Sequence, residues 1–114
     1  MNFSNNKISD IKVLEKTKFD KLEILNFSNN NISDINVLEK MHLKELKELI
    51  FNDNKISDIK VFEIAKFEKL EILYLQNNII DFSSEKYDSI IEKFNIKLKN
   101  FKYKEQKDTK TVIS

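Results

Sequence analysis

Apolar residues recur along this chain in a frame that returns every 24 residues: Leu22-x-x-Leu25-x-Phe27, Leu46-x-x-Leu49-x-Phe51 and Leu70-x-x-Leu73-x-Leu75. Residues two apart share a face of an extended strand. Each unit therefore predicts one short strand, with Leu25/Phe27, Leu49/Phe51 and Leu73/Leu75 turned inward and stacked one unit above the next. Three positions after each frame stands an asparagine, Asn30, Asn54 or Asn78, with Asn6 as an earlier member, and isoleucine follows each two residues later. An asparagine amide both donates and accepts. Four of them at equal spacing, where the strand ends and the chain turns, predict a continuous ladder of side-chain bonds to the backbone of successive turns.

The repetition extends into the segments between strands, which carry Ile8-Ser9-Asp10-Ile11, Ile32-Ser33-Asp34-Ile35 and Ile56-Ser57-Asp58-Ile59. Val13-Leu14, Val37-Leu38 or Val61-Phe62 comes next, then Phe19, Leu43 or Phe67. Ser9, Ser33 and Ser57 stand where a helix starts, so each hydroxyl is expected to cap orphan amides while the following aspartate faces the positive helix end. Ile11, Leu14 and Phe19 point inward on this outer segment, and Lys and Glu cover its outside.

A unit of this length with leucine and asparagine at these offsets resembles the leucine-rich repeat family. The spacing Asn-x-Ile-x-x-Ile-x-x-Leu is similar to that of bacterial internalins and the phosphatase-1 regulatory repeat protein. The resemblance implies an α/β fold: a leucine-rich-repeat solenoid forming a short right-handed arc, with a parallel sheet on the concave face and short helices on the convex face. The units are two residues longer than is usual in that subfamily, the extra length falling between Leu14 and Phe19 and at matching places. This implies an outer segment long enough for a true helix.

Three parts are expected. Residues 1–82 hold the repeats, an incomplete first unit followed by three units; residues 83–103 form a capping helix and strand; residues 104–114 form a flexible basic tail. Met1 enters at the place of the second leucine, so the first strand lacks its front half and presents an open edge. An open edge is a pairing hazard: the chain is a fragment of a longer array, or another chain covers the edge by self-association or docking, or the edge is short enough to be tolerated. In the cap, Ser83-Ser84-Glu85 reads as a helix start, and Tyr87, Ile90, Ile91 and Phe94 form a helical stripe. Ile96-x-Leu98 then reads as a strand. Phe101 stands where the next asparagine is expected, and Lys104 to Ser114 reads as disordered.

Composition narrows the function. A net charge of +1 disfavours a general nucleic-acid binder. With no cysteine there is neither a disulfide frame nor a thiolate metal site. No run approaches the roughly 18 apolar residues of a membrane span, and no basic and apolar leader opens the chain. These features point to a cytoplasmic or nuclear setting. Three sequons, at Asn2, Asn26 and Asn31, are read as chance products of an Asn- and Ser-rich repeat.

No nucleophile with a base partner, phosphate loop or paired histidine ligands occurs, so no enzyme, cofactor or metal is expected. His42 is the only histidine. The Asp10, Asp34 and Asp58 column could hold calcium, but helix-start electrostatics accounts for it without an ion. What remains is the concave face, whose columns are the residues between the inward positions. They are Ile24, Glu48 and Ile72; Asn26, Ile50 and Tyr74; Ser28, Asn52 and Gln76; and, beside them, Asn29, Asp53 and Asn77. Apolar Ile24, Ile50, Ile72 and Tyr74 among amides suit a protein or peptide partner, with Tyr74 as the leading anchor. The expected function is a protein-binding module, with a structural or assembly role as the alternative.

Overall fold

The computed structural model describes residues 1–107. Its central element is a parallel sheet of four strands, β1 (Ile24–Asn26), β2 (Glu48–Ile50), β3 (Ile72–Tyr74) and β4 (Asn100–Lys102), ordered as in the sequence. Leu25 pairs with Leu49, Leu49 with Leu73, and Leu73 with Phe101. Asn2 extends the sheet by a single bridge to Asn26. Every connection is a crossover through an outer segment, so the chain winds as a solenoid with one layer of apolar side chains between sheet and outer segments.

That layer follows from the repeated frame. Leu25, Leu49 and Leu73 are fully buried, as are Leu46, Phe51, Leu75, Ile56 and Ile59. Phe27 lies between Phe3 and Phe51, with ring centroids 5.0 and 5.6 Å apart and planes within 12° and 9° of parallel. Stacking identical side chains in register is what a parallel sheet of exact repeats permits, since each residue meets its own counterpart one strand away.

The outer segments differ from expectation. Two are single 3-10 stretches, Lys12–Lys16 and Asn36–Lys40, and the third is one α-turn, α1 (Val61–Ile64). The added residues lengthen the extended link to the next strand rather than the helix. The serines do not cap these turns. Asp10, Asp34 and Asp58 do the work expected of them, each accepting through Oδ1 the N–H two residues on, from Lys12, Asn36 and Lys60 at 2.9 Å. An Asx-turn of this kind fixes the bend by a local bond.

The C-terminal unit is longer than the others. Phe101 follows its partner Leu73 by 28 positions, where Leu49 follows Leu25 by 24. The extra residues extend the second helix, α2 (Asp88–Lys97), entered through a 3-10 turn at Glu85–Tyr87 whose start Ser84 caps by accepting from the Lys86 amide. Tyr87, Ile90 and Phe94 bury against the last repeat, and Phe94 meets Phe62 and Phe101 edge-on at 5.6 and 5.5 Å. Lys93 reaches across to donate to the Phe62 carbonyl at 2.9 Å, and burial there pushes its ammonium below the usual lysine range.

Ile96-x-Leu98 is thus not a strand: Ile96 lies in α2 and is 81% exposed, and the strand starts at Asn100. Nor is the segment from Lys104 to Lys107 loose, because the Lys107 amide donates to the Asn78 carbonyl at 2.6 Å and the Asn77 amide to the Glu105 carbonyl. The rest of the expected tail lies outside the described residues.

Candidate functional site

Sheet register sets the open face. Ile24, Glu48, Ile72 and Asn100 form one row across the four strands, and Asn26, Ile50, Tyr74 and Lys102 form the next. Ser28, Asn52 and Gln76 continue the alternation past the strand ends. All of them project from the side opposite the apolar layer, because neighbouring residues of a strand point to opposite faces.

Their surroundings differ from member to member. Ile24 is exposed; Ile72, Tyr74, Glu48, Asn26, Ser28, Asn52 and Gln76 are half-buried. Ile50 is only 8% exposed and offers almost nothing to a partner, which corrects its expected role as an apolar contact. It sits mid-row between Asn26 and Tyr74, flanked by a paired strand on both sides. Tyr74 is held from the C-terminal side, where Asn100 Nδ2 donates to its hydroxyl at 2.9 Å and the Lys102 ammonium stands 4.8 Å from its ring centroid. Both restraints come from β4, and a ring fixed before binding loses less rotamer entropy on contact.

The flanking column of Asn29, Asp53 and Asn77 carries a constraint the sequence pattern did not reveal. With Asn5 these residues have φ between 57° and 61°, the left-handed region. No glycine occurs in the chain, and asparagine and aspartate are the non-glycine residues that tolerate this conformation best. Their identity therefore answers first to the turn after each strand. Local bonds add to it: Asn29 Nδ2 donates to Asn5 Oδ1 at 2.8 Å and Asn52 Nδ2 to Asp53 Oδ2 at 2.7 Å.

Behind the turns runs the asparagine seam. Asn54, fully buried, accepts the Ile32 amide at 3.0 Å and donates to the carbonyls of Phe27 and Phe51 at 2.9 and 3.1 Å. Asn30 and Asn78 repeat these bonds with Ile8 and with Ile56. Asn6 is exposed and bonds only within its own turn, to Phe3 and Ser4. At the other end the seam does not stop at Phe101. Gln106 takes the asparagine's place: its Oε1 accepts the Ile80 amide at 3.0 Å, and its Nε2 donates to the carbonyls of Leu75 and Tyr103.

Charges bordering the sheet are mostly paired. Lys47 meets Glu23 and Lys99 meets Glu71, both at 3.3 Å, and Lys69 meets Glu45 at 2.6 Å. The Lys69 hydrogen bond and charge hold the Glu45 carboxyl below its ordinary value. His42 is exposed on the outer side, and among the described residues no group of three or more His, Cys, Asp or Glu could hold a metal ion. No helix among them is long and apolar enough to cross a membrane.

A parallel sheet wound by short outer turns, with an asparagine seam at the strand ends, defines a repeat solenoid of one kind. Residues 1–40 and 44–86 match the family model for leucine-rich repeats in two copies, and the chain belongs to the leucine-rich repeat family. It is similar to an internalin (inlF) from Listeria monocytogenes whose crystal structure shares 32% identity and superposes with a TM-score of 0.68. That match covers 91% of this chain and 28% of the internalin, so the chain spans little more than a quarter of that protein. No curated protein matches.

Proposed function

We propose that this chain is a non-catalytic binding module that takes a protein or peptide partner across the open, concave face of its sheet. The observation that carries the reading is the set of half-buried and exposed apolar side chains, Ile24, Ile72 and Tyr74, spread over two adjacent rows of a face otherwise built from polar residues, amides foremost. Apolar anchors with a polar rim are the anatomy of protein interfaces. The test is capture of partners from a lysate of the source cells by immobilised protein. Ile72→Ala with Tyr74→Ala should lose at least tenfold of the captured partner with little change in thermal midpoint. Undiminished capture by that variant would overturn the reading.

A second reading rests on Phe3. Its ring is half-buried and covered on one face by Phe27 at 5.0 Å, and a further apolar surface laid against the N-terminal edge would complete its burial. Self-association or assembly through that edge would appear as a concentration-dependent sedimentation coefficient that Phe3→Ser abolishes.

A further inference from the structure

Each repeat passes two backbone donors to the next. The N–H groups of Phe27, Phe51 and Leu75 donate to the carbonyls of Ile50, Tyr74 and Lys102. Those of Asn29, Asp53 and Asn77 donate to the carbonyls of Asn52, Gln76 and Glu105. The next members of the two series are the N–H groups of Tyr103 and Glu105, and neither has an acceptor among the described residues. β4 is the last strand of the sheet. Its Asn100 N–H donates to the Glu71 carbonyl and its Lys102 C=O accepts the Leu75 N–H, on either side of β3, so by strand alternation the Phe101 N–H and C=O point outward.

Side chains along this edge are equally uncompleted. Lys47, Lys69 and Lys99 on the sheet margin are each paired with a carboxylate, whereas Lys102 and Lys104, both exposed, have no carboxylate partner among the described residues. They line a cavity of about 550 Å³ together with Gln76, Phe101, Tyr103 and Glu105. Gln76, one of the lining residues, carries the one buried side-chain polar atom that lacks a hydrogen bond among the described residues, its Oε1. Phe101 and Tyr103 lie on the opposite face of β4, half-buried and stacked at 4.5 Å.

We infer that the edge of β4 is the docking site of an extended acidic segment of a partner protein, added parallel to β4 as a fifth strand. Carbonyls of that segment take the Tyr103 and Glu105 amides. Its residues opposite Lys102 and Lys104 are aspartate or glutamate, and the residue between them is apolar and covers Phe101 and Tyr103. Strand addition supplies the backbone bonds and alternate side chains supply the selectivity. Acid and base thus sort to one face and apolar groups to the other, which specifies the pattern acidic–apolar–acidic. The inference rests on the reading of the chain as a protein-binding module and adds the place and chemistry of one contact.

The test uses fluorescein-labelled octapeptides in which glutamate, glutamine or lysine alternates with valine, added to the full chain and followed by anisotropy and amide hydrogen exchange. The glutamate peptide should bind at least tenfold more tightly than the glutamine peptide, and the lysine peptide not at all. Lys102→Glu with Lys104→Glu should abolish that preference, while Lys12→Glu with Lys16→Glu on the outer side leaves it intact. Exchange at the Tyr103 and Glu105 amides should be fast in the free protein and slow in the complex. Equal binding of the glutamate and glutamine peptides, or exchange unaltered by peptide, would overturn the inference. So would slow exchange in the free protein: relieved by dilution it assigns the edge to a second copy, and relieved by removing residues 108–114 it assigns the edge to the chain's own end. A module that loses its cellular partner with Ile72→Ala and Tyr74→Ala, yet ignores the glutamate peptide, keeps its proposed function and loses this contact alone.

Discussion

Asn54 and Asn6 stand at the same place in the repeat and have different physical weight. Asn54 is sealed from solvent and satisfies one amide and two carbonyls of the strand ends around it. Removing its side chain leaves the Ile32 amide buried without a partner, at about 1–3 kcal/mol, and takes one of two donors from the Phe27 and Phe51 carbonyls, which still accept from Asn30 and Asn78. Asn54→Ala should therefore destabilise the fold by about 2 kcal/mol in urea unfolding, and Asn6→Ala, whose amide reaches only exposed carbonyls, by less than about 0.5 kcal/mol. Equal losses would show that the seam is not what holds successive turns. Asp53 makes a second comparison. Its φ of 61° costs a residue with a Cβ about 1–2 kcal/mol, so Asp53→Ala should destabilise and Asp53→Gly should be neutral or better, measured by the same unfolding midpoint.

At the scale of elements, the strands were legible in the sequence and the pieces that end or join them were not. Leu25, Leu49 and Leu73 announce their register because three identical frames admit one alignment, and a shift by one residue would turn each leucine to solvent. The outer turns carried no such redundancy. Serine and aspartate are both good helix-start residues, and the pattern could not say that the aspartate carboxylate would close the turn. In the cap, the helix start at Ser84 and the stripe of Tyr87, Ile90 and Phe94 were legible, and the strand was misplaced for a definite reason. Ile96 is apolar by type but points away from the core, so a strand drawn through it and Leu98 is offset by four residues from β4, which forms only after the helix ends. That offset also hid Gln106, whose longer side chain reaches the seam from a unit whose spacing no longer matches the others. Gln106→Ala should free the Ile80 amide and the Tyr103 carbonyl, while the Leu75 carbonyl keeps its bond from Asn78. The expected cost is about 1–2 kcal/mol, with faster hydrogen exchange at Ile80 and no change at Ile32.

Over the whole molecule, the two sides of one sheet differ in composition and burial. The inner side is a repeated layer of leucine, isoleucine and phenylalanine in which each unit is stable only against its neighbours. The open side is left to polar residues and a few apolar ones. Of the candidate contacts, the rows were legible because alternation fixes which residues face outward. The concealment of Ile50 was not, since it depends on neighbours in adjacent strands, and the left-handed turns at Asn29, Asp53 and Asn77 were invisible because no glycine marks them. The seam holds the units in register, and without it this face would not exist at all. The most direct test is amide hydrogen exchange at Ile32, whose N–H is bonded to Asn54 Oδ1 at 3.0 Å. That amide should exchange as slowly as those of the central strands in the native protein, and Asn54→Ala should release it while Leu49 stays protected. An Ile32 amide that exchanges freely in the native protein would contradict the stacked arrangement.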